Sequence, residues 1–306
     1  MRGKWFLLLF AVLSACGTTD NPEGRIAISS DQDGDWEVLV VDMGTGLVEQ
    51  ITHNMAYDWR PVWSPDGSRL VFASDYLAGE AEPVEVSDAG EFQPATREKT
   101  GILGVVTLNA DGSGRIRLTE EQATGEHPSW SPDGKRVVFV SYRTGNSEIF
   151  VMDSDSKNVR QLTDDPGDDW HPAWSADGSQ IAFASTRTGD FELYVMDSEG
   201  GNVRQITESL ETDWSPAWSP DGEKIAFASR RAGNWDVYLV NLDGGDARPL
   251  TDGPETDLAP VWSPDGRHLA FASDRSGTMG VYVMSADGTG VEPLGIVGIP
   301  SGWIHS

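Results

Sequence analysis

Five residues ahead of a recurring tryptophan, the chain places a carboxylate: Asp58 before Trp63, Asp169 before Trp174, Asp213 before Trp218 and Asp257 before Trp262. Ahead of Trp130 the acid stands one place later, at Glu126. Tryptophans adjoin three of these acids, at Trp59, Trp170 and Trp214. Imidazoles share one equivalent position at His127 and His171, where the first unit has Arg60. Converging oxygens suit calcium and imidazole favours a transition metal, so a divalent cation is one candidate occupant. Focused negative potential attracts a basic peptide or protein loop, the second candidate. Tryptophan faces beside hydrogen-bond acceptors form a sugar platform, the third. A fourth arrangement needs no ligand. Arg143, Arg187, Arg231 and Arg275 recur at one fixed place, and each can pair with a nearby aspartate.

These residues are positioned by a repeat. Trp174-Ser175-Ala176-Asp177-Gly178 has close copies beginning at Trp63, Trp130, Trp218 and Trp262, the last three intervals being 44 residues each. A fixed period of this size marks a repeat architecture. Ser-Pro-Asp-Gly is turn chemistry, with proline fixing φ and glycine accepting φ > 0. The turn is followed by a run such as Lys224–Ser229, a Gly-containing loop, a second run such as Asp236–Val240 and a short third segment such as Arg204–Thr207. Such a unit is a four-stranded blade. The tryptophans (Trp63, Trp130, Trp174, Trp218, Trp262 and Trp303) are expected to pack between blades, and the turn aspartates to be structural.

The repeat begins in mid-unit. Arg25–Ser29 aligns with Gln180–Ala184, yet Thr19 stands where the matching tryptophan would fall, and the missing strand reappears as Pro300–His305. The expected fold is therefore an all-β, six-bladed propeller of four-stranded blades over 25–306, closed by pairing the C-terminal strand with the N-terminal ones. Closure removes open sheet edges. Antiparallel order puts the second-to-third-strand loops and the blade-to-blade crossovers on one face, opposite the Ser-Pro-Asp-Gly turns. The acids gather there, near the channel mouth. The first unit is stretched to 67 residues by an acidic insert at 77–100, which overhangs the same face. It is either a functional element or a tolerated surface loop.

Arg2 and Lys4, the apolar Phe6–Leu13 and the small residues before Cys16 read as an export signal too short to span a bilayer. Leu13-Ser14-Ala15-Cys16 resembles the lipobox of bacterial lipoprotein precursors. The resemblance implies a signal peptide at 1–15, a lipidated Cys16 with a short tether to residue 24, and anchoring to the bacterial cell envelope. An ordinary signal peptide is the alternative. A single cysteine provides no disulfide framework.

The run Pro-x-Trp-Ser-Pro-Asp-Gly, an Ile-Ala-Phe-type strand, Ser-x-Arg-x-Gly and a Leu-Tyr-Val-Met-Asp-type strand together resemble the TolB-like, or PD40, propeller repeat across nearly all of 25–306. That resemblance implies a non-catalytic module binding protein or peptide in the cell envelope, expected to be monomeric. Similar propellers precede the hydrolase domain of prolyl oligopeptidase relatives, but no Gly-x-Ser-x-Gly elbow occurs here. Oligogalacturonate lyases are related propellers with a histidine-containing metal site, so His127 and His171 keep open a carbohydrate-binding or polysaccharide-degrading alternative. Asp31-Gln32-Asp33-Gly34-Asp35 shares the opening of a calcium loop but lacks its distal glutamate. The 49 acidic against 22 basic residues give a net charge of −27, which excludes nucleic acid as a partner. The same balance suits either a saline habitat or a cationic ligand.

Overall fold

The computed structural model describes residues 22–32, 34–76, 102–120, 123–243, 245 and 247–305, with the backbone of Leu7–Leu8. Every regular element among them is a strand, and the strands form six antiparallel sheets. The innermost strands Asp58–Trp63, Glu126–Trp130, Asp169–Trp174, Asp213–Trp218, Asp257–Trp262 and Ile299–Ile304 neighbour one another in that order and back to the first. This is a closed six-bladed propeller. Closure occurs where expected: Ile299–Ile304 pairs with Arg25–Ser30, Ile304 lying opposite Arg25. Leu7–Leu8 adds to the outer edge of that blade, beside Leu47–Val48. Residues 1–6 and 9–21, including Cys16, and the 77–100 insert lie outside the described residues.

The second strand of each blade is buried along almost its whole length, because blades cover both its faces. The alternation seen in the sequence is one of size. Ile181 and Phe183 pack with Trp174 against Val138, Ile149 and Val151 of the preceding blade. Ala182 and Ala184, on the opposite face, receive Trp218, Ile225 and Phe227 of the next. Large meets small at each interface, as dense packing requires. The turns behave as their sequence dictates. Ser175 donates to Asp177 at 2.6 Å, Asp177 accepts the Ser179 N–H at 3.0 Å, and Gly178 has φ 72°.

Candidate functional site

The inner strands stack three kinds of position along the channel. The deepest into the blades is the aspartate. Asp58, Asp169 and Asp213 are fully buried and Asp257 is 1% exposed. Arg187 Nη2 donates to Asp169 at 3.0 and 3.1 Å, Arg231 to Asp213 at 2.7 Å and Arg275 to Asp257 at 2.9 and 3.1 Å. Each of these guanidiniums stacks on a Phe–Tyr pair, as Arg187 does on Phe183 and Tyr194. Arg115, ahead of the first blade's outer strand, fills the same place beside Asp58 at 2.9 Å. Burial pushes the carboxyls of Asp58 and Asp169 up, against the opposing pull of their arginines and hydroxyl donors. Of the arrangements open to these four aspartates, the ligand-free one is the one present: each pairs with an arginine inside the blades rather than standing free at the mouth.

A second acid accompanies each aspartate. Glu37, Glu148, Glu192 and Asp236 open the third strands of the preceding blades and lie within electrostatic reach of Asp58, Asp169, Asp213 and Asp257 respectively. Thr52, Thr163, Thr207 and Thr251 donate to them. Desolvation pushes Glu37 up to about 9, Glu192 to about 7 and Asp236 to about 6. At the two remaining junctions both acids are glycine, Gly104 with Gly125 and Gly280 with Gly298. A Cβ on Gly104 would lie 2.2 Å from Arg117 Nη2, so the arginine occupies the acid's space.

Three residues before five of the six inner-strand tryptophans the strand bulges, and the bulge residue adopts a left-handed conformation: Arg60 (φ 59°), His127 (48°), His171 (54°), Ser215 (54°) and Ala259 (53°). Five non-glycine residues in this region, at equivalent places around one channel, are strained backbone that the surrounding sheet must hold. Arg60, His127, His171 and Ser215 help line an axial cavity of ≈ 150 Å³. Arg60 Nη2 donates to His171 Nδ1 at 2.7 Å and to Ser215 Oγ at 3.0 Å, and Ser215 Oγ lies 2.9 Å from the same Nδ1. The His127 and His171 rings lie 3.9 Å apart, tilted by 35°. Burial, together with the neighbouring Arg60 cation, holds both imidazoles well below their usual range, so they are neutral. Burial alone lowers Arg60, to about 10.

The third position forms a half-buried rim of Trp59, Trp170, Trp214, Leu258 and Ile299, together with Glu126. Sheet register agrees with the one-place offset of Glu126. It faces Val140 as Trp170 faces Ala184, so it replaces a rim tryptophan, and Gly125 stands in the aspartate's place. Burial raises the Glu126 carboxyl, and burial, followed by the Glu126 charge, raises Tyr57 and Tyr142. Trp170 and Trp214 are stacked at 6.2 Å, with Tyr142 against the first and Phe191 against the second. Trp59 packs against Trp36 and Tyr57. In the crossover ahead of Asp213, Leu210 is 92% exposed.

The fold therefore brings Trp59, Glu126, His127, Trp170, His171 and Trp214 to the channel and withdraws Asp58, Asp169, Asp213 and Asp257 from it. Among the described residues no three His, Cys, Asp or Glu side chains converge to hold a metal ion, so the geometry does not favour calcium at the mouth. Arg115, Ser215 and the buried second acids were not singled out from sequence. The joint replacement of both acids by glycine was the signal that could have revealed the last.

The sequence profile of the TolB beta propeller domain matches residues 98–215 and 208–301. A TolB homolog of Chlorobium luteolum is 28% identical over 146 residues, covering 41% of this chain and 33% of the relative. The alignment thus spans about a third of that relative's length. The crystal structure of TolB from Acinetobacter baumannii superposes with a TM-score of 0.74 at 23% identity, covering 94% of this chain and 68% of that one. Oligogalacturonate lyase from Vibrio parahaemolyticus does so at 0.56 and 15% identity, covering 88% and 74%. At such identities the superpositions speak for the fold alone.

Proposed function

Because the chain belongs to the TolB beta propeller domain family, we propose that its crossover face docks a protein or peptide of the cell envelope and performs no chemistry of its own. The observation carrying this reading is the aromatic rim. Trp59, Trp170 and Trp214 stand half-exposed around a polar channel, on the face that also presents Leu210. Large amphipathic rings beside an exposed aliphatic side chain supply apolar contact area for a partner, and tryptophan is enriched among residues dominating interfaces. Four of the five acids a catalytic reading would recruit are paired with arginines, leaving Glu126 alone at the rim. The lipid reading of Cys16 belongs to the same proposal: it places the propeller at a membrane surface, where a partner is concentrated. Under it, the Leu7–Leu8 pairing is a property of the precursor.

The test is capture from a native envelope extract by the full chain and by the Trp214→Ala and Leu210→Ser variants. Wild type should retain a protein that both variants lose, with melting temperatures essentially unchanged for Leu210→Ser. Retention by all three, or retention of glycan and no protein, would overturn the reading.

A further inference from the structure

The axial cavity holds a cation without a counter-charge. Arg60 meets His171 and Ser215, both neutral, and no carboxylate among the described residues pairs with it. Its Nε is enclosed and lacks any acceptor. A guanidinium with an orphaned N–H is costly to enclose unless something accepts from it. Because His171 Nδ1 accepts from Arg60, the neutral ring keeps its proton on Nε2, which adds a further donor. Ser129 and Ser301 border the same cavity. The remaining wall is aliphatic, built from Pro128, Pro172, Pro216, Pro260, Val62 and Val261.

We propose that this cavity is a receptor for a single carboxylate presented by a peptide, either a chain terminus or an acidic side chain, with Arg60 as its charged anchor and Ser215 and His171 orienting it. The inference deepens the docking reading and rests on it for the source of the peptide. A volume of ≈ 150 Å³ is about five waters' worth, enough for a carboxylate on a short stem. Proline and valine walls suit an aliphatic stem better than the hydroxyl-covered ring of a sugar acid, for which the serines of the lining are the remaining partners. With a net charge of −27, the chain repels free anions at long range. A carboxylate carried on a larger partner, whose other contacts add to its own, is therefore held more tightly than a free one.

The test follows the ring nitrogens of His127 and His171 by NMR in the full chain at fixed ionic strength near 0.15 M, where the Debye length is about 8 Å. The probes are N-acetylglycine, its neutral isostere N-acetylglycinamide, and galacturonate. N-acetylglycine should give a saturable shift that the amide does not. Arg60→Gln should weaken it roughly tenfold or more, Arg60→Lys less, and Ser215→Ala a few-fold. Equal shifts from acid and amide, or no saturation, would overturn the proposal without using any variant. Tighter binding of galacturonate than of N-acetylglycine would overturn the peptide source. Capture of an envelope protein that persists while N-acetylglycine fails to bind would overturn the receptor and leave the docking face standing.

Discussion

Glu192 and Asp213 share one buried site at the junction of the third and fourth blades. Glu192 accepts from the Thr207 hydroxyl at 2.6 Å and the Ser209 N–H at 2.6 Å, while Arg231 donates to Asp213 Oδ2 at 2.7 Å. Asp213 Oδ1 has no donor unless the Glu192 carboxyl carries the proton, and burial first, with the Asp213 carboxylate after it, raises Glu192 to about 7. A carboxyl whose folded pKa exceeds its unfolded value binds more protons when folded. Its stabilisation is complete below 4.5 and is lost as pH rises through about 7. Glu192→Gln keeps the donor permanently. Thermal melts should show the variant more stable than wild type by about 2 kcal/mol above pH 8 and close to it at pH 5. Parallel curves for the two proteins would refute the shared proton.

Asp169→Ala leaves Arg187, only 17% exposed, without its carboxylate. Breaking a fully buried pair costs about 3–5 kcal/mol, and partial access to water should bring this nearer to 2–3. Urea unfolding should register that loss, while capture of a partner on the rim is unaffected at temperatures where the variant remains folded. Weakened capture with undiminished stability would instead return the aspartate to the binding surface.

The left-handed residues around the channel allow a separate check. Ala259 has φ 53° and is 2% exposed. Glycine adopts this conformation freely but loses more freedom on folding, so Ala259→Gly should stabilise by up to about 1 kcal/mol. Ala259→Val should destabilise by more than that. Denaturation midpoints moving in the reverse order would exclude backbone strain there.

Cys16→Ser tests the anchor. Fractionation should move the protein from the membrane pellet to the soluble envelope fraction, with the propeller still folded. Equal partition of the two forms would remove lipidation from the reading.

The blades were legible because one tryptophan turn, repeated at 44 residues, carries both spacing and turn chemistry. The site was legible only in part. Trp170 and His171 adjoin Asp169 in sequence, yet the bulge sends consecutive residues to different surroundings, and period counting does not reveal which one enters the channel. Glu126 stands one place after the aspartate position, which Gly125 occupies, and its pairing with Val140 agrees with that count. The arginine at Asp58 comes from position 115, outside the repeat's rule, because the first blade breaks its period where the other blades place theirs.

The closure of the ring also has a consequence in time. Trp303 Nε1 donates to Glu23 O at 2.8 Å across a sequence separation of 280 residues. Every other blade pairs its strands locally and can form as soon as its own residues are available. The blade containing Arg25–Ser30 must wait, its inner edge exposed, until Ile299–Ile304 arrives. Such high contact order makes closure the slow event. Unfolding should begin at the same seam.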